Sequence, residues 1–311
     1  MIFNNSSLAF GRNETFGLRY NWIFKGLSAL KKRDDIFTSS DALSQLGLGK
    51  NMMLSMRYWL VAYQLSNKEE ISEITDFADF LFHPTEGKDP YLEDISTLWL
   101  LHWKLCTNPE NATLYFWFFN IFSKTSFTKL ELQTGLEDWL KFQNSKSVSP
   151  KTLDRDINLL LKTYSGVNAL EKEFEDQLEN PFHELSIVSK NTDGTFGCYI
   201  QDRDNIPFYV LGFCIAEIQE YFSQNDLISS SRDFSVVPVS EILNSNEFPS
   251  IQKIFKTTED CLFYLLNQLE KQYPELFQIN ETAGQKNLFI KESLDPIDRK
   301  STRLNSSHLL I

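Results

Sequence analysis

The chain has 311 residues and a formal net charge of −12 at pH 7, and 42% of its residues are hydrophobic. This length allows two or three domains, and the apolar content is enough for buried cores. The acidity argues against strong non-specific binding to nucleic acid over the whole surface, because affinity for phosphates comes largely from Lys and Arg.

The charge is spread unevenly along the chain. Residues 1–67 carry eight basic and four acidic side chains, whereas residues 165–297 carry nine basic and twenty-two acidic ones. A nucleic-acid surface is therefore expected in the N-terminal half, and the acidic C-terminal third is expected to face protein or solvent. The basic run Lys31-Lys32-Arg33 ends a predicted helix, where cations complement the helix dipole or could equally contact phosphate.

The sequence shows no pattern typical of a metal site, a phosphate-binding loop or a membrane-spanning helix. The four cysteines have no CxxC spacing and the histidines are far apart, so we predict buried, reduced thiols and no metal site. The string LGLGKN lacks the first glycine and the final Ser or Thr of a phosphate-binding loop. The most apolar runs are too short to span a bilayer. We predict a cytoplasmic protein without membrane contact, cofactor or recognisable catalytic residue.

The last residues, 298–311, differ from the rest in origin. Asp298 to His308 reads DRKSTRLNSSH, which is the in-frame translation of a common short-read sequencing adapter. We exclude these residues from fold prediction, as one would exclude a tag, and expect the natural C-terminus to be missing.

The stretch from Ser39 to Tyr63 predicts a helix-turn-helix. Either Ser39 or Ser40 can cap the first helix. Gly47 and Gly49 give the backbone the freedom that a sharp turn between helices needs. A helical wheel assigns an apolar side to the second helix. That predicted apolar side consists of Met53, Met56, Trp59, Leu60 and Tyr63.

The opposite side of the second helix is polar and cationic. Such side chains on the first turns are what a helix needs to enter the major groove of duplex DNA. The alternative is an ordinary solvated helix face in an interaction domain. The residues predicted to contact DNA are Lys50, Asn51, Ser55 and Arg57.

Residues 149–164 predict a second helix with a polar, cationic side. Ser149 stands at the N-cap and Pro150 at the first helical position. Asp154 and Asp156 flank the polar side and are expected to restrain phosphate binding, and a solvated face is again the alternative. The predicted apolar side is Leu153, Ile157, Leu160 and Tyr164, and the predicted DNA contacts are Lys151, Arg155, Asn158 and Lys162.

The remaining pattern predicts a mainly α fold of tandem winged-helix-like helix-turn-helix units with short β hairpins. Apolar helices at 92–106 and 112–122 are expected to form a core around a satisfied His102. An acidic connector at 165–180 precedes helices near 208–222, 238–243 and 258–272 and a hairpin at 277–290. The predicted segments are a winged-helix-like unit at 1–90, a helical bundle with a second helix-turn-helix at 91–165, and an acidic winged-helix-like unit at 181–297.

One group of carboxylates could serve a metal-dependent nuclease, which needs clustered acids beside a basic residue. The pattern at residues 185–200 predicts a hairpin whose turn is Asp193-Gly194. Asp193 lies in this turn, and Asp202, Arg203 and Asp204 follow the hairpin directly. Three such acids are also expected from the composition of an acidic segment.

Several short motifs resemble a known family. Phe10-Gly-x-x-Glu-Thr-Phe-x-x-Arg19-x-x-Trp22, Leu46-Gly-x-Gly-Lys-Asn-Met52 and Arg57-Tyr-Trp59 resemble the opening of the bacterial domain of unknown function 4007 family. Pro90-Tyr-Leu-Glu-Asp, Leu98-Trp-Leu-Leu-His-Trp103 and Glu281-Thr-Ala-Gly284 extend the resemblance over most of residues 8–292.

The resemblance implies the kind of system in which the protein acts, and it identifies no catalytic residue. Members of that family are often encoded beside sulfotransferase-like reductases of DNA phosphorothioation systems, which modify the DNA backbone with sulfur and act in phage defence. This implies a protein that binds or docks on duplex DNA and positions a sulfur-transfer or cutting partner. Some relatives have been described as DNA-nicking components, so a metal-dependent nickase and a non-catalytic protein–protein adaptor are the alternatives.

Overall fold

The computed structural model describes residues 7–145, 147–165, 179–224, 236–244, 249–282 and 284–290. These residues form two compact units, which meet in sequence between Tyr199 and Ile200. The predicted segments 1–90 and 91–165 both fall in the first unit, and their separate folding stays a prediction. Most of the acidic connector, the turn residue Ala283 and the stretch 298–311 lie outside the described residues.

Helices are the main regular structure of the first unit. A small antiparallel sheet with strand order β1–β3–β2 and a short 3-10 helix at Pro181–Leu185 accompany them. The helices are α1 (Trp22–Lys32), α2 (Ala42–Leu46), α3 (Lys50–Ala62), α4 (Asp76–Phe82), α5 (Ile95–Cys106), α6 (Thr113–Asn120), α7 (Lys129–Phe142) and α8 (Pro150–Tyr164). The strands are β1 (Ser126–Phe127), β2 (Ser189–Lys190) and β3 (Phe196–Gly197).

The core of the first unit is built around α5 and α6, whose side chains are almost all buried. His102 on α5 is fully buried, and its Nδ1 lies 2.7 Å from the hydroxyl of Tyr164. The ring of Tyr63 stacks on that of Phe182, with 5.4 Å between their centroids. The prediction of a satisfied core histidine between these helices is confirmed.

The second unit combines helices with a three-stranded antiparallel sheet of order β4–β6–β5. The pairing of β5 with β6 runs from Phe277 opposite Ile290 to Thr282 opposite Gln285, which confirms the predicted hairpin. The elements are α9 (Phe208–Gln224), β4 (Val236–Pro238), α10 (Val239–Leu243), α11 (Ile251–Phe255), α12 (Glu259–Gln272), β5 (Phe277–Thr282) and β6 (Gln285–Ile290).

The mainly α class with small antiparallel sheets is thus confirmed. Helix α5 begins at Ile95, three residues after its predicted start, and α6 ends at Asn120, two residues before its predicted end. Helix α7 begins at Lys129, directly after Thr128 and the strand residue Phe127. The side chain of Thr128 accepts a hydrogen bond from the N–H of Glu131, whose carboxylate accepts one from the N–H of Thr128. This capping box fixes the helix start. Among the described helices, none is both long and apolar enough to cross a membrane.

Candidate functional site

The predicted helix, glycine turn and helix are present at residues 42–62. Helix α2 ends at Leu46, and Gly47 follows in the left-handed conformation at a φ of +59°, which favours glycine. Helix α3 begins at Lys50, one residue after the extended Gly49. The side chains predicted for the apolar side of α3 are buried: Met53, Met56, Trp59, Leu60 and Tyr63.

The polar side of α3 is exposed only in part. Lys50 and Asn51, at the start of the helix, are exposed, and Arg57 is half-buried. Ser55 is fully buried, and its hydroxyl donates a hydrogen bond of 3.0 Å to the carbonyl oxygen of Phe16. The same oxygen accepts a 3.0 Å hydrogen bond from the indole N–H of Trp59.

The prediction that Ser55 contacts DNA is therefore wrong. The reason is that the segment around Phe16 packs over this side of α3. A helical wheel records only the direction of a side chain from its own axis, so it cannot show that a segment distant in sequence covers it.

Helix α8 matches its predicted pattern more closely. Its N-cap is Ser149, whose hydroxyl accepts a hydrogen bond from the N–H of Thr152, and Pro150 follows. All four residues of the predicted apolar side are buried. On the opposite side Lys151, Arg155 and Lys162 are exposed, and Asn158 is half-buried.

Asp154 and Asp156, the two carboxylates beside this cationic side, are both engaged by other residues of the protein. Asp154 forms an ion pair with Lys129 at 2.5 Å and accepts a 3.2 Å hydrogen bond from the amide of Asn158. Asp156 is buried and accepts hydrogen bonds from the N–H of Gly11 at 2.7 Å and from the amide of Asn13 at 3.1 Å. The expected repulsion of phosphate is thus weakened, because one charge is paired and the other points inward.

Burial raises the pKa of Asp156, and the hydrogen bonds from Gly11 and Asn13 oppose that increase. A carboxylate in this position serves to hold the N-terminal segment on α8. The close packing is visible at Gly11, which has a φ of +66° and where an added Cβ atom would lie 3.0 Å from the methyl carbon of Thr152.

Residues 11–16, which we call the N-terminal clamp, connect the two predicted DNA-contacting helices. Gly11 and Asn13 bind α8 through Asp156, and Phe16 binds α3 through Ser55 and Trp59. Both helices are therefore fixed on one short segment. The clamp also carries an exposed cation, Arg12, that the sequence reasoning missed.

Five cations of this site have no carboxylate partner in the part of the chain that the structure describes. Within the described residues, no carboxylate lies within 4 Å of the charged groups of Arg12, Lys50, Arg57, Lys151 or Arg155. Some cations elsewhere in the same unit are paired, for example on and after α1. There Lys31 pairs with Asp79, and Arg33 pairs with Asp35 and Asp41.

A family model described as Protein of unknown function (DUF4007) matches residues 10–303. The chain belongs to the DUF4007 family. No curated protein sequence gives a significant match to it.

Two solved structures have the fold of this DUF4007 chain. One is described as "Magnesium ion-bound SspB crystal structure", with a TM-score of 0.80 and 23% identity over 96% of this chain and 90% of that chain. The other is described as "SspB crystal structure", with a TM-score of 0.80 and 23% identity over 97% of this chain and 92% of that chain. At this level of identity the similarity establishes the fold.

Two of the carboxylates considered for metal-dependent cutting have local partners in the DUF4007 chain. Asp193 accepts hydrogen bonds from the N–H and the hydroxyl of Thr195, which lower its pKa. Asp202 accepts one from the hydroxyl of Thr258, and Arg203 is buried with its Nε donating to the carbonyl of Lys256 at 3.1 Å. The described ranges contain no group of three His, Cys, Asp or Glu side chains placed to hold a metal ion.

Proposed function

We propose that this DUF4007 protein docks on duplex DNA as a component of a bacterial DNA phosphorothioate modification or defence system, where it positions a sulfur-transfer or cutting partner. The family match and the similarity to structures named SspB support the choice of system.

The observation that carries the docking proposal is the set of cations that two helices, held by one clamp, leave at the surface. Lys50, Asn51 and Arg57 of α3 and the exposed side of α8 lie in a chain with a net charge of −12. A cationic surface that persists in an acidic protein favours a polyanionic ligand, because releasing counterions from DNA drives such binding. Lys151, Arg155, Asn158 and Lys162 supply the α8 part of this surface.

Winged-helix-like units are part of the same proposal. In the second unit the order β4, three helices and the β5–β6 hairpin, with sheet order β4–β6–β5, supports a winged-helix arrangement. In the first unit, α1 to α3 supply three helices, and a single antiparallel bridge joins Ser66 to Ile74 where a wing would follow. The second unit is acidic, so we assign it to partner proteins rather than to DNA.

A salt-titrated shift assay on duplex DNA tests the docking proposal. We expect the double variant Arg155→Glu/Lys162→Glu to bind more weakly than the unmodified chain and to show a flatter dependence on salt. A matched control is Lys124→Glu/Lys141→Glu, which changes the same charge at exposed positions before and within α7. Equal binding by the two double variants would remove the α8 surface from the proposal.

Co-purification with the sulfur-transfer protein of the same gene cluster tests the partner half of the proposal. A stable complex without any shift of DNA would favour the adaptor function instead. In that case the α3 and α8 surfaces would serve subunit contacts.

A metal-dependent nickase is the second candidate function, and one comparison favours it: one of the similar SspB structures is a magnesium-bound form. The sequence candidates that lie in the second unit are Asp202 and Asp204, and we take them as the residues to test. Supercoiled plasmid incubated with the protein and Mg²⁺ or Mn²⁺ should then give relaxed circles, and Asp202→Asn should abolish them. Relaxation that survives this substitution would point to other residues or to a contaminating nuclease.

A further inference from the structure

A cavity of about 740 Å³ opens along the outer side of α1, next to the end of α2. Its volume lies within the range of small-molecule sites, about 300–1,000 Å³. The cavity belongs wholly to the first unit, and its lining residues differ from those of the proposed duplex surface.

The helical repeat of α1 explains why this cavity forms. Trp22, Ile23, Leu27 and Leu30 are buried in the core. The side chains that line the cavity recur at positions 21, 24, 25, 28, 29 and 32, which is the opposite side of the same helix. The cavity therefore follows α1 for most of its length of about 16 Å.

Two aromatic rings form one wall. The rings of Phe24 and Tyr91 are tilted at 45° with 4.8 Å between their centroids. Tyr91 remains 55% exposed although it belongs to this ring pair. An exposed aromatic ring on a cavity wall offers a face on which a flat ligand ring can stack.

The charged part of the wall is cationic: it consists of Lys25, Lys32 and Arg33, and the described lining residues include no carboxylate. The Nζ of Lys25 donates to the carbonyl oxygen of Leu46 at 2.9 Å. Arg33 is paired with Asp35 and Asp41. Lys32 is exposed and has no carboxylate within 4 Å among the described residues, so its charge is available to an anion.

A buried hydroxyl completes the wall. The Oγ of Ser28 is shielded from solvent and has no hydrogen-bond partner among the described residues. A buried polar group without a partner costs free energy, so a ligand that supplies the missing hydrogen bond would be favoured.

We propose that this cavity binds a nucleotide, meaning a flat ring that carries a phosphate, supplied either as an unpaired nucleotide of a DNA strand or as a free mononucleotide. Tyr91, beside Phe24, stacks on the base. Lys32 and Lys25 attract the phosphate, and Ser28 donates to or accepts from the ligand. The inference goes beyond duplex docking and does not require it, because it uses other residues.

Fluorescence anisotropy with a labelled short oligothymidylate tests the proposal, with thymidine monophosphate as the competitor. We expect Tyr91→Ala to weaken oligonucleotide binding about tenfold, since one lost base stack has roughly that effect. We expect Lys32→Gln to weaken it severalfold and to reduce its salt dependence. The matched controls are Tyr264→Ala, at another exposed tyrosine, and Lys141→Gln, at another exposed lysine, and both should bind like the unmodified protein.

The competitor separates the two sources of nucleotide. Full displacement by the monophosphate indicates that the cavity binds a free mononucleotide. Binding of the oligonucleotide without displacement indicates that it binds an unpaired nucleotide of a DNA strand. Either result supports the proposal. Absence of binding by both probes overturns it, as does unchanged affinity in a Tyr91→Ala protein that melts at the temperature of the unmodified chain. Displacement of the oligonucleotide by an acidic, aromatic peptide that binds more tightly would also overturn it. Duplex binding that is lost in Arg155→Glu/Lys162→Glu but retained in Tyr91→Ala would show that the duplex surface and the nucleotide cavity are separate sites.

Discussion

Helices α3 and α8 carry similar polar, cationic sides in the sequence, but the fold treats the two sides differently. The polar side of α8 is exposed at the surface. Asp156, next to that side, is buried and accepts a hydrogen bond from the N–H of Gly11. The polar side of α3 is partly covered by the N-terminal clamp, which binds Ser55 and Trp59. The difference shows that the exposure of a helix side depends on what other segments pack over it, in addition to its own pattern.

The comparison also ranks the two helices as proposed DNA contacts. Helix α8 offers three exposed cations, whereas α3 offers the exposed Lys50 and Asn51 and a half-buried Arg57.

Trp59→Ala should give the largest loss of stability. The indole is fully buried and donates to the carbonyl of Phe16. Removing a buried Trp side chain typically costs about 3–5 kcal/mol. Urea unfolding followed by circular dichroism would measure it, with Trp59→Phe as a control that keeps most of the volume. A loss below about 1 kcal/mol would contradict the packing of the Trp59 side chain in the core.

Asp156→Ala should destabilise the protein by about 2–3 kcal/mol, because the N–H of Gly11 and the amide of Asn13 lose their acceptor in a buried place. The matched control is Asp154→Ala, two residues earlier on the same helix. Its carboxylate is in a partly exposed ion pair with Lys129, so its removal should cost less than about 1 kcal/mol. Equal losses for the two variants in urea unfolding would contradict the assignment of Asp156 as the anchor of the clamp.

Ser55→Ala should cost about 1 kcal/mol, because one hydrogen bond is lost while the indole of Trp59 still binds the carbonyl of Phe16. Its affinity for duplex DNA should not change. Lys50→Ala is the opposite case, because an exposed lysine should affect DNA affinity without affecting stability. Weaker DNA binding by a folded Ser55→Ala protein would restore Ser55 to the contact surface.

The raised pKa of Asp156 should affect how the stability of the protein depends on pH. A carboxyl whose pKa is higher in the folded than in the unfolded state binds its proton more tightly when folded, so it adds stability as pH falls through the window just above its ordinary value of 3.8. The unmodified protein should gain stability relative to Asp156→Asn over that window. The control Glu131→Gln should show the reverse, because the pKa of Glu131 is lowered to about 2 by Lys124 and Thr128. Urea unfolding at a series of pH values would measure both differences.

Local sequence patterns predicted most of the fold. The left-handed turn at Gly47, the Ser149–Pro150 start of α8 and the β5–β6 hairpin follow from short-range chemistry that a few residues determine. The covered Ser55 and the inward Asp156 could not be predicted in this way, because both depend on contacts with residues 39 and 145 positions away. The exposed Arg12 was missed for the same reason, since its importance comes from the clamp.

The salt dependence of duplex binding tests the central claim, that the exposed cations of α8 contact DNA phosphates, most directly. The logarithm of the binding constant falls with the logarithm of salt concentration by about 0.9 for each phosphate neutralised. Lys151→Gln/Arg155→Gln should therefore make this slope shallower by about two, whereas the control Lys124→Gln/Lys141→Gln should keep the slope of the unmodified chain. A slope that is the same in all three proteins would contradict the claim.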